Sequence, residues 1–596
     1  MSRRPHNPSP PGRPGPVRRD RPASGDQGRR PDNQSPGSQR PPVWPDVVDT
    51  VMLAKFTRQT DALLPGPGER DAPPEHPGES TRVLRLPGGK HGSGPMRFTT
   101  SSRRRTWVSR GVLFAILCVQ AALTLRMSNT AFEDEALYLY SGHLQIAHLL
   151  HGTPLQGNYA SYFSGAPVLY PVLGALADGV GGLAAARAVS LIAMLGTTAL
   201  LYSLTRRMFN ERVGLCAAVI FSVTESALFL GHLATYDAPS LFLLALASWI
   251  VVRTAPFRWP GYLLAAPPIA LAVATKYAAG LFVPTIVVFS ALAAWPYRGR
   301  MALIAPPALT AAIAALLGGA LSLAGPSYLT GIRFTTTARF QGTTATSVLL
   351  RDSLVWGGLP FALAVIGAVA YTLRARTEPG ELIAAAGGRL WRLTLGVVLT
   401  GTALLVPADQ IHIHTLTSLQ KHIGFGLFFA APFAGIGLAR IVGDHFRRAQ
   451  VGIAIWGAAL VIGMTQANDL FNAWPDSSGF ITVMSRYLQP RAHYLVEVDE
   501  VPIYYFRSHR DAQPHQFTST YFIGYVDRQR QYLTGNAGYV AAIKAGYFRV
   551  VAYNGQVTPA LDNVLASTLR ADPDYRLAAT ISNGDHSVNY YVWVRR

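Results

Sequence analysis

The sequence predicts a polytopic α-helical membrane protein with about eleven spans and a small C-terminal extracytoplasmic α/β domain. Of its 596 residues, 49% are hydrophobic and only 14% are charged. Apolar runs of about 20 residues, the length that crosses the hydrocarbon core of a bilayer, recur between residues 111 and 464. After about residue 480 the chain instead alternates aromatic or β-branched residues with polar ones over short stretches, which is typical of strands.

Residues 1–105 form a tail rich in proline, glycine and arginine that we expect to be disordered and cytoplasmic. Its few large apolar residues could not bury enough surface to offset the conformational entropy of ordering. Residues 1–110 carry 20 basic and 10 acidic residues, which supply half of the net charge of +20. Most of the other positive charge lies in short loops, where it indicates membrane topology. We therefore expect no nucleic-acid partner.

Residues 106–470 form the predicted transmembrane domain. Its apolar runs lie at 111–128, 184–204, 213–231, 238–252, 261–275, 279–295, 302–324, 354–373, 392–407, 423–440 and 451–465. If the N-terminus is inside, five arginine-rich loops fall inside, and the outside turns carry almost no positive charge apart from the loop at 326–351. This asymmetry predicts a plasma-membrane protein with a cytoplasmic N-terminus and a C-terminal domain outside the cell.

The first outer loop, residues 129–183, begins with an acidic cluster. Glu133, Asp134 and Glu135 follow the first span directly, and Tyr138 lies about one helical turn further on. Such a cluster can simply mark the outer end of a helix. This loop is, however, long and rich in aromatic and polar residues, which is typical of an active-site roof rather than of a turn. We therefore expect Asp134 or Glu135 to act as a catalytic base.

Further polar groups fall on the same predicted side of the membrane. Asp237 precedes the fourth span, Lys276 ends the fifth, and Lys421 and His422 precede the tenth. Helix capping alone can explain the aspartate, and snorkelling to the interface can explain each lysine. Their shared side instead suits transfer of a sugar from a lipid phosphate. The cations would hold the phosphate, and a carboxylate would take the proton of the acceptor hydroxyl.

The spacing of histidines and cysteines predicts no metal site. His412 and His414 are two residues apart, which is not diagnostic of metal binding, and Cys118 and Cys216 lie inside predicted spans.

Residues 476–596 form the predicted α/β domain. Its pattern predicts strands at 493–498, 547–552, 575–581 and 588–594, and helices at 536–545 and 559–569. Its strand-rich sequence contains aromatic residues that could either bind a sugar or peptide acceptor or form an ordinary core: Tyr504, Tyr505, Tyr590, Tyr591 and Trp593. Because the topology places this domain over the first outer loop, we expect it to select the acceptor.

Four short motifs occur in order on the predicted outer side: Glu133-Asp134-Glu135 with Tyr138, Tyr236-Asp237-Ala-Pro239, Ala272-Val-Ala-Thr-Lys276, and Lys421-His422 followed by Ala431-Pro432. In these motifs the chain resembles the GT-C glycosyltransferases, in particular the branch with protein O-mannosyltransferases and the lipid A aminoarabinose transferase. The resemblance covers about residues 111–464. The chain departs from the pattern at His422, where the family usually has tyrosine.

The resemblance implies a hexosyl- or pentosyltransferase of the cell envelope that uses a polyprenyl-phosphate sugar and inverts the anomeric carbon. It assigns catalysis to Asp134 with Glu135 beside it, and donor binding to a set of nearby residues: Tyr138, Asp237, Lys276, Lys421 and His422. The acceptor would be an extracytoplasmic glycan, lipid or protein. Some members are linked to a divalent cation and others are not, so the resemblance leaves the cofactor open.

Two functions of other classes are also compatible with the composition. A transporter or flippase of lipid-linked sugars would carry charged residues near the middle of its spans and repeats related by inversion. Only Glu225 is a candidate for such a residue, and no convincing repeat is present. A non-catalytic scaffold for polysaccharide export would need only the membrane anchor and the outer domain.

Overall fold

The computed structural model describes residues 101–155, 157–257, 260–339, 341–373, 388–443, 446–582 and 588–596. Nearly all of the predicted tail therefore lies outside the described residues.

The first half of the described chain is helical. Its helices are α1 (Ser101–Leu125), α2 (Glu133–His151), α3 (Tyr170–Met208), α4 (Glu211–Phe221), α5 (Glu225–His232), α6 (Asp237–Thr254), α7 (Ala266–Thr275), α8 (Val283–Arg298), α9 (Ala305–Ala324) and α10 (Pro326–Thr335). The first outer loop thus contains α2, a single 3₁₀ turn at Tyr159–Ser161 and the start of α3. The helix that carries the predicted span 184–204 begins earlier than expected, at Tyr170, and is broken at Gly181 and Gly182.

The second half contains four long or paired helices and then the α/β domain. The remaining helices are α11 (Thr346–Leu373), α12 (Arg389–Gly401), α13 (Leu405–His412), α14 (Leu419–Val442), α15 (Ala449–Phe471), α16 (Ser478–Met484), α17 (Glu500–Tyr505), α18 (Gly535–Lys544) and α19 (Pro559–Ala571). The strands are β1 (His493–Val496), β2 (Phe517–Thr518), β3 (Gly524–Val526), β4 (Tyr532–Thr534), β5 (Phe548–Tyr553), β6 (Tyr575–Ser582) and β7 (Asn589–Arg595).

The chain is a multi-pass membrane protein. Within the described residues, eight segments are long and apolar enough to cross a membrane, and the pair α4–α5, bent by 64°, makes a ninth if it counts as one span. All eleven predicted runs fall on these helices or on the shorter apolar segment Gly261–Thr275. The counts differ because Tyr277–Ala324, which contains both α8 and α9, is one apolar stretch of 48 residues, and because Gly261–Thr275 is too short to count as a span. The number eleven and the orientation of the termini stay predictions.

Helix α14 forms the centre of the helical part, with 83% of its apolar window buried inside the protein. It crosses α11 closely because small residues stand at the contact. A Cβ atom at Gly367 would overlap the carbonyl oxygen of Phe433, and one at Gly437 would overlap that of Leu363. The first turn of this central helix carries Lys421 and His422, so both side chains start from a tightly packed scaffold.

The C-terminal domain is built on a five-stranded sheet of order β2-β1-β5-β7-β6, with the two-stranded hairpin β3–β4 beside it. Strand β1 pairs in parallel with β2 and β5, whereas β7 is antiparallel to β5 and β6. Successive residues of β5 enter two different cores: Val551 packs with residues of α18 and α19, and Val550 packs with Phe480 on the other face. The predicted strands and both predicted helices of this domain are confirmed.

The aromatic residues expected to bind an acceptor serve mainly in packing. Tyr590 and Trp593 are buried in the domain cores. Tyr504 and Tyr505 contact the helical part instead: Tyr504 donates to Asp178 (2.6 Å), and the hydroxyl of Tyr505 accepts from the amide of Ala131 (2.9 Å). These two hydrogen bonds join the domain to α3, which contains Asp178, and to the segment that precedes α2.

Candidate active site

The acidic cluster forms the first turn of α2. Phe132 before it is extended, and the helix starts at Glu133, so the carboxylates lie at the positive end of the helix dipole. Consecutive helical residues point about 100° apart, and the three side chains therefore reach different surroundings. Of these residues, Glu133 and Asp134 line a large cavity.

Asp134 forms an ion pair with the central helix. Its Oδ2 atom lies 3.0 Å from Nζ of Lys421, and its Oδ1 atom accepts a hydrogen bond from the hydroxyl of Tyr138 (3.2 Å). The lysine side chain is only 5% exposed, whereas that of Asp134 is 28% exposed. The carboxylate is thus held from two sides and still accessible from the cavity.

A second ion pair joins two other elements in the same region. Nζ of Lys276, which follows α7, lies 2.7 Å from Oδ1 of Asp237, the first residue of α6. Both side chains are buried, and Thr235 donates to the other carboxylate oxygen (2.9 Å). His422 approaches the same Asp237 oxygen at 3.9 Å. The lysine ammonium is therefore fixed in position by a carboxylate.

A short chain of hydroxyl groups connects the two ion pairs. Tyr236 donates to the hydroxyl of Tyr138 (2.5 Å), and Tyr236 and Ser164 lie within 2.5 Å. Nζ of Lys276 lies 4.9 Å from the centre of the Tyr236 ring. Burial, followed by the charge of Asp134, raises the pKa of Tyr138 well above its usual value, so this hydroxyl stays protonated and can donate.

The cavity has a volume of about 1200 Å³. Asp134, Tyr138, Lys276, Lys421 and His422 all line it, so the fold brings together five of the seven residues selected from sequence. The other two do not line the cavity: Asp237 forms the ion pair with Lys276, and Glu135 forms an ion pair with Arg187. The cavity therefore offers the partly exposed carboxylate of Asp134, two fixed ammonium groups and room for a ligand much larger than a single sugar.

Comparisons with known proteins agree with this geometry. Residues 173–321 match the family described as dolichyl-phosphate-mannose-protein mannosyltransferase. The crystal structure of ArnT from Cupriavidus metallidurans bound to undecaprenyl phosphate is similar with a TM-score of 0.53 and 14% identity, covering 82% of this chain and 98% of that one. The chain therefore shares the fold of this structure, and one part of it matches the mannosyltransferase family.

Two other solved structures are less similar to this chain. The oligosaccharyltransferase of Archaeoglobus fulgidus in its apo form has a TM-score of 0.46 and 12% identity, covering 81% of this chain and 74% of that one. The arabinosyltransferase EmbB of Mycobacterium smegmatis has a TM-score of 0.36 and 14% identity, covering 72% of this chain and 43% of that one. No curated protein matches the sequence.

Glu135 is placed differently from the expectation of a catalytic role. Its carboxylate accepts two hydrogen bonds from the guanidinium of Arg187, at 2.8 and 2.7 Å, and two from the backbone amides of Phe132 and Ala234. It is fully buried and does not line the cavity. Its position argues against catalysis by Glu135 and indicates a structural role, because its oxygens are already engaged.

Sequence reasoning missed two groups that shape the site. Arg187 interrupts an apolar run, and a charge in such a run usually has a partner, so a signal for it was present. Glu500 of α17 also lines the cavity, and no motif points to it, because it comes from the C-terminal domain.

The structure gives no support for a metal centre within the residues it describes. Among them, no group of three or more histidine, cysteine, aspartate or glutamate side chains is arranged to hold a metal ion. His412 lines the cavity, whereas His414 lies 3.3 Å from the carbonyl oxygen of Thr344. The participation of a divalent cation stays open.

Proposed function

We propose that this chain is a GT-C glycosyltransferase that moves a sugar from a polyprenyl-phosphate donor to an acceptor hydroxyl outside the cell, with Asp134 as the general base. The observation that carries the proposal is the ion pair of Asp134 and Lys421 on the wall of the cavity, with Lys276 on the same wall. The undecaprenyl phosphate bound to ArnT of the same fold supports a donor of this class.

In the proposed reaction, Asp134 removes the proton of the acceptor hydroxyl as its oxygen attacks the anomeric carbon. The bond between that carbon and the phosphate oxygen breaks, and the lipid phosphate leaves with the bonding electrons. The attack comes from the face opposite the phosphate, so the anomeric configuration is inverted. Each proton and electron pair is accounted for without a cofactor. Tyr138 and Lys421 hold Asp134 in place for this step.

The leaving phosphate gains negative charge as the bond breaks, and fixed cations in a water-poor cavity stabilise such charge strongly. Lys276 and Lys421 are the buried cations on the cavity wall. Asp237 fixes Lys276 in advance, so the ammonium needs little reorganisation when the donor binds. We expect Lys421→Met to weaken donor binding more than it slows turnover of the bound donor.

The experiment uses purified protein in liposomes with a panel of labelled polyprenyl-phosphate sugars. Asp134→Asn should lower turnover by about a hundredfold or more, the usual scale for a positioned base, and leave donor binding intact. Asp574→Asn, an exposed aspartate of the C-terminal domain, serves as the matched control. Turnover of Asp134→Asn within a few fold of the wild type would contradict the assignment. A flippase would move the donors across the bilayer without consuming them.

A further inference from the structure

The C-terminal domain contributes one charged side chain to the wall of the cavity. Glu500, the first residue of α17, lines the cavity together with Glu133 and Asp134 of α2. The residue is only 5% exposed, and its Oε2 atom has no hydrogen-bond partner in the described part of the chain. An unsatisfied buried oxygen of this kind costs free energy unless a ligand or water completes it.

The surroundings of Glu133 and Glu500 favour the uncharged form of both carboxyl groups. Burial, and then the neighbouring carboxylates, raise the pKa of Glu133 and that of Glu500 well above their usual values. Burial likewise raises the pKa of Asp499 to about 6. The hydroxyl of Tyr521 donates to Glu133 (3.1 Å) and fixes its orientation. A neutral carboxyl group both donates and accepts hydrogen bonds, which matches a sugar hydroxyl.

Glu497 of the same domain is a glutamate with a purely structural role and serves as a comparison for Glu500. Glu497 accepts four backbone amides, those of Asn554, Gly555, Val557 and Thr558, at 2.6 to 3.0 Å. Its carboxylate thereby shapes the loop before α19. No such set of amides surrounds Oε2 of Glu500, which has no hydrogen-bond partner among the described residues, and Glu500 itself lines the cavity.

The positions of the charged groups indicate whether Glu133 and Glu500 lie on the side of the donor phosphate or on the side of the acceptor. Lys276 and Lys421 suit the donor phosphate, whereas the carboxyl groups of Glu133 and Glu500 suit hydroxyl groups. In an inverting displacement the acceptor approaches opposite the leaving phosphate and must reach Asp134. Glu133 is the neighbour of Asp134 in α2, so its side of the cavity is adjacent to the base.

We propose that Glu133 and Glu500 form an acceptor subsite that binds the hydroxyl groups of an uncharged glycan, so that the C-terminal domain forms one wall of the active site. This inference rests on the proposed function, because it assumes that Asp134 receives the proton of the acceptor. It makes the C-terminal domain a part of the catalytic cavity rather than an appended recognition module.

The test uses liposomes that contain the protein and a labelled polyprenyl-phosphate sugar that the wild type hydrolyses slowly in water. Three acceptor probes are added below their micelle concentrations: neutral octyl glucoside, cationic octyl 2-amino-2-deoxyglucoside and anionic octyl glucuronide. The glycosylated probe and the released sugar are measured separately for the wild type, Glu500→Ala, Glu500→Gln, Asp134→Asn and the exposed control Asp574→Asn.

The wild type should use the neutral probe best. Glu500→Ala should raise the half-saturating concentration of this probe about tenfold, the effect of losing one good hydrogen bond, and should change donor half-saturation much less. Glu500→Gln, which still donates and accepts, should stay within about threefold of the wild type. This rescue distinguishes binding from a packing role.

The proposal is overturned if Glu500→Ala uses the neutral probe normally, or if its donor and probe half-saturation rise together. It is equally overturned if the wild type ignores the neutral probe or prefers a charged one. Normal transfer to a probe by Asp134→Asn would contradict the proposed function itself, so the two failures are distinguishable.

Discussion

Replacement of Glu135 by glutamine tests whether the residue next to the proposed base is structural. The carboxylate receives two hydrogen bonds from Arg187 and two from backbone amides, and both charged side chains are buried. Glutamine would leave the Arg187 cation without a counter-ion. Its side-chain NH₂ group would also face N–H donors, with which it cannot form hydrogen bonds. Removing one partner of a buried ion pair costs about 3–5 kcal/mol.

This cost predicts a measurable loss of thermal stability. The entropy of unfolding is about 2 cal/mol/K per residue, hence on the order of 1 kcal/mol/K for the part of the chain that the structure describes. Glu135→Gln should therefore lower Tm by about 3–5 °C in a thermal-shift assay in detergent. Activity per folded molecule should stay within about threefold of the wild type, because Asp134 keeps its own partners Lys421 and Tyr138.

The double variant Glu135→Gln/Arg187→Met supplies the control. It removes both charges, and methionine can still pack on Phe471, whose ring centre lies 5.0 Å from the Arg187 guanidinium. Tm should recover in part, because the backbone carbonyls of Asn129 and Thr130 still lose their arginine donor. A wild-type Tm with turnover reduced a hundredfold in both variants would refute the structural assignment and make Glu135 a catalytic residue.

Three further predictions concern other ion pairs and carboxyls. Lys276→Met should weaken donor binding tenfold or more and also lower Tm, because it leaves the buried Asp237 without its cation. The double variant Lys276→Met/Asp237→Asn should restore Tm but not donor affinity. Normal donor binding by the double variant would contradict a role of Lys276 in binding the phosphate. Burial and the adjacent Glu497 raise the pKa of Asp562 to about 8, so the folded state keeps a proton that the unfolded chain releases, and stability should fall as pH rises from about 4 to 8. In a series of Tm measurements against pH, Asp562→Asn should flatten this fall, and an unchanged slope would contradict it. Asp178→Asn should loosen the C-terminal domain and speed proteolysis after α15, whereas a wild-type cleavage rate would show that this contact does not hold the domain.

The helices and strands could be predicted because their signals are local. An apolar run reports a span directly, and alternation reports a strand, so β5 and β7 were found from a few residues each. The number of spans was less certain for a physical reason. The stretch Tyr277–Ala324 is apolar throughout, and sequence composition does not say whether it crosses the bilayer once or twice.

The site was predicted only as far as its residues belong to recognisable motifs. Asp134, Lys276 and Lys421 share the cavity as expected, since motifs at one end of adjacent helices meet there. The distinction between Asp134 and Glu135 needed the helix orientation and the partner Arg187. Contacts with the C-terminal domain could not be foreseen, because they join residues very distant in sequence: Tyr521 and Glu133 are 388 positions apart.

Those contacts also change how the C-terminal domain should be tested. Deletion after residue 475 would remove the hydrogen bonds of Tyr505 with the amide of Ala131 and of Tyr521 with Glu133. It would thereby destabilise the start of α2. Loss of activity in such a truncation would not report acceptor selection. Point variants in the cavity wall, with the domain in place, separate the two effects.

The most direct test of the account is single-turnover transfer from labelled polyprenyl-phosphate sugars in liposomes, measured for the wild type and Asp134→Asn at saturating donor. The account predicts that both proteins bind the donor equally well and that only the wild type converts it, with inversion at the anomeric carbon. Conversion by Asp134→Asn at a rate near that of the wild type, or a product with retained configuration, would contradict it.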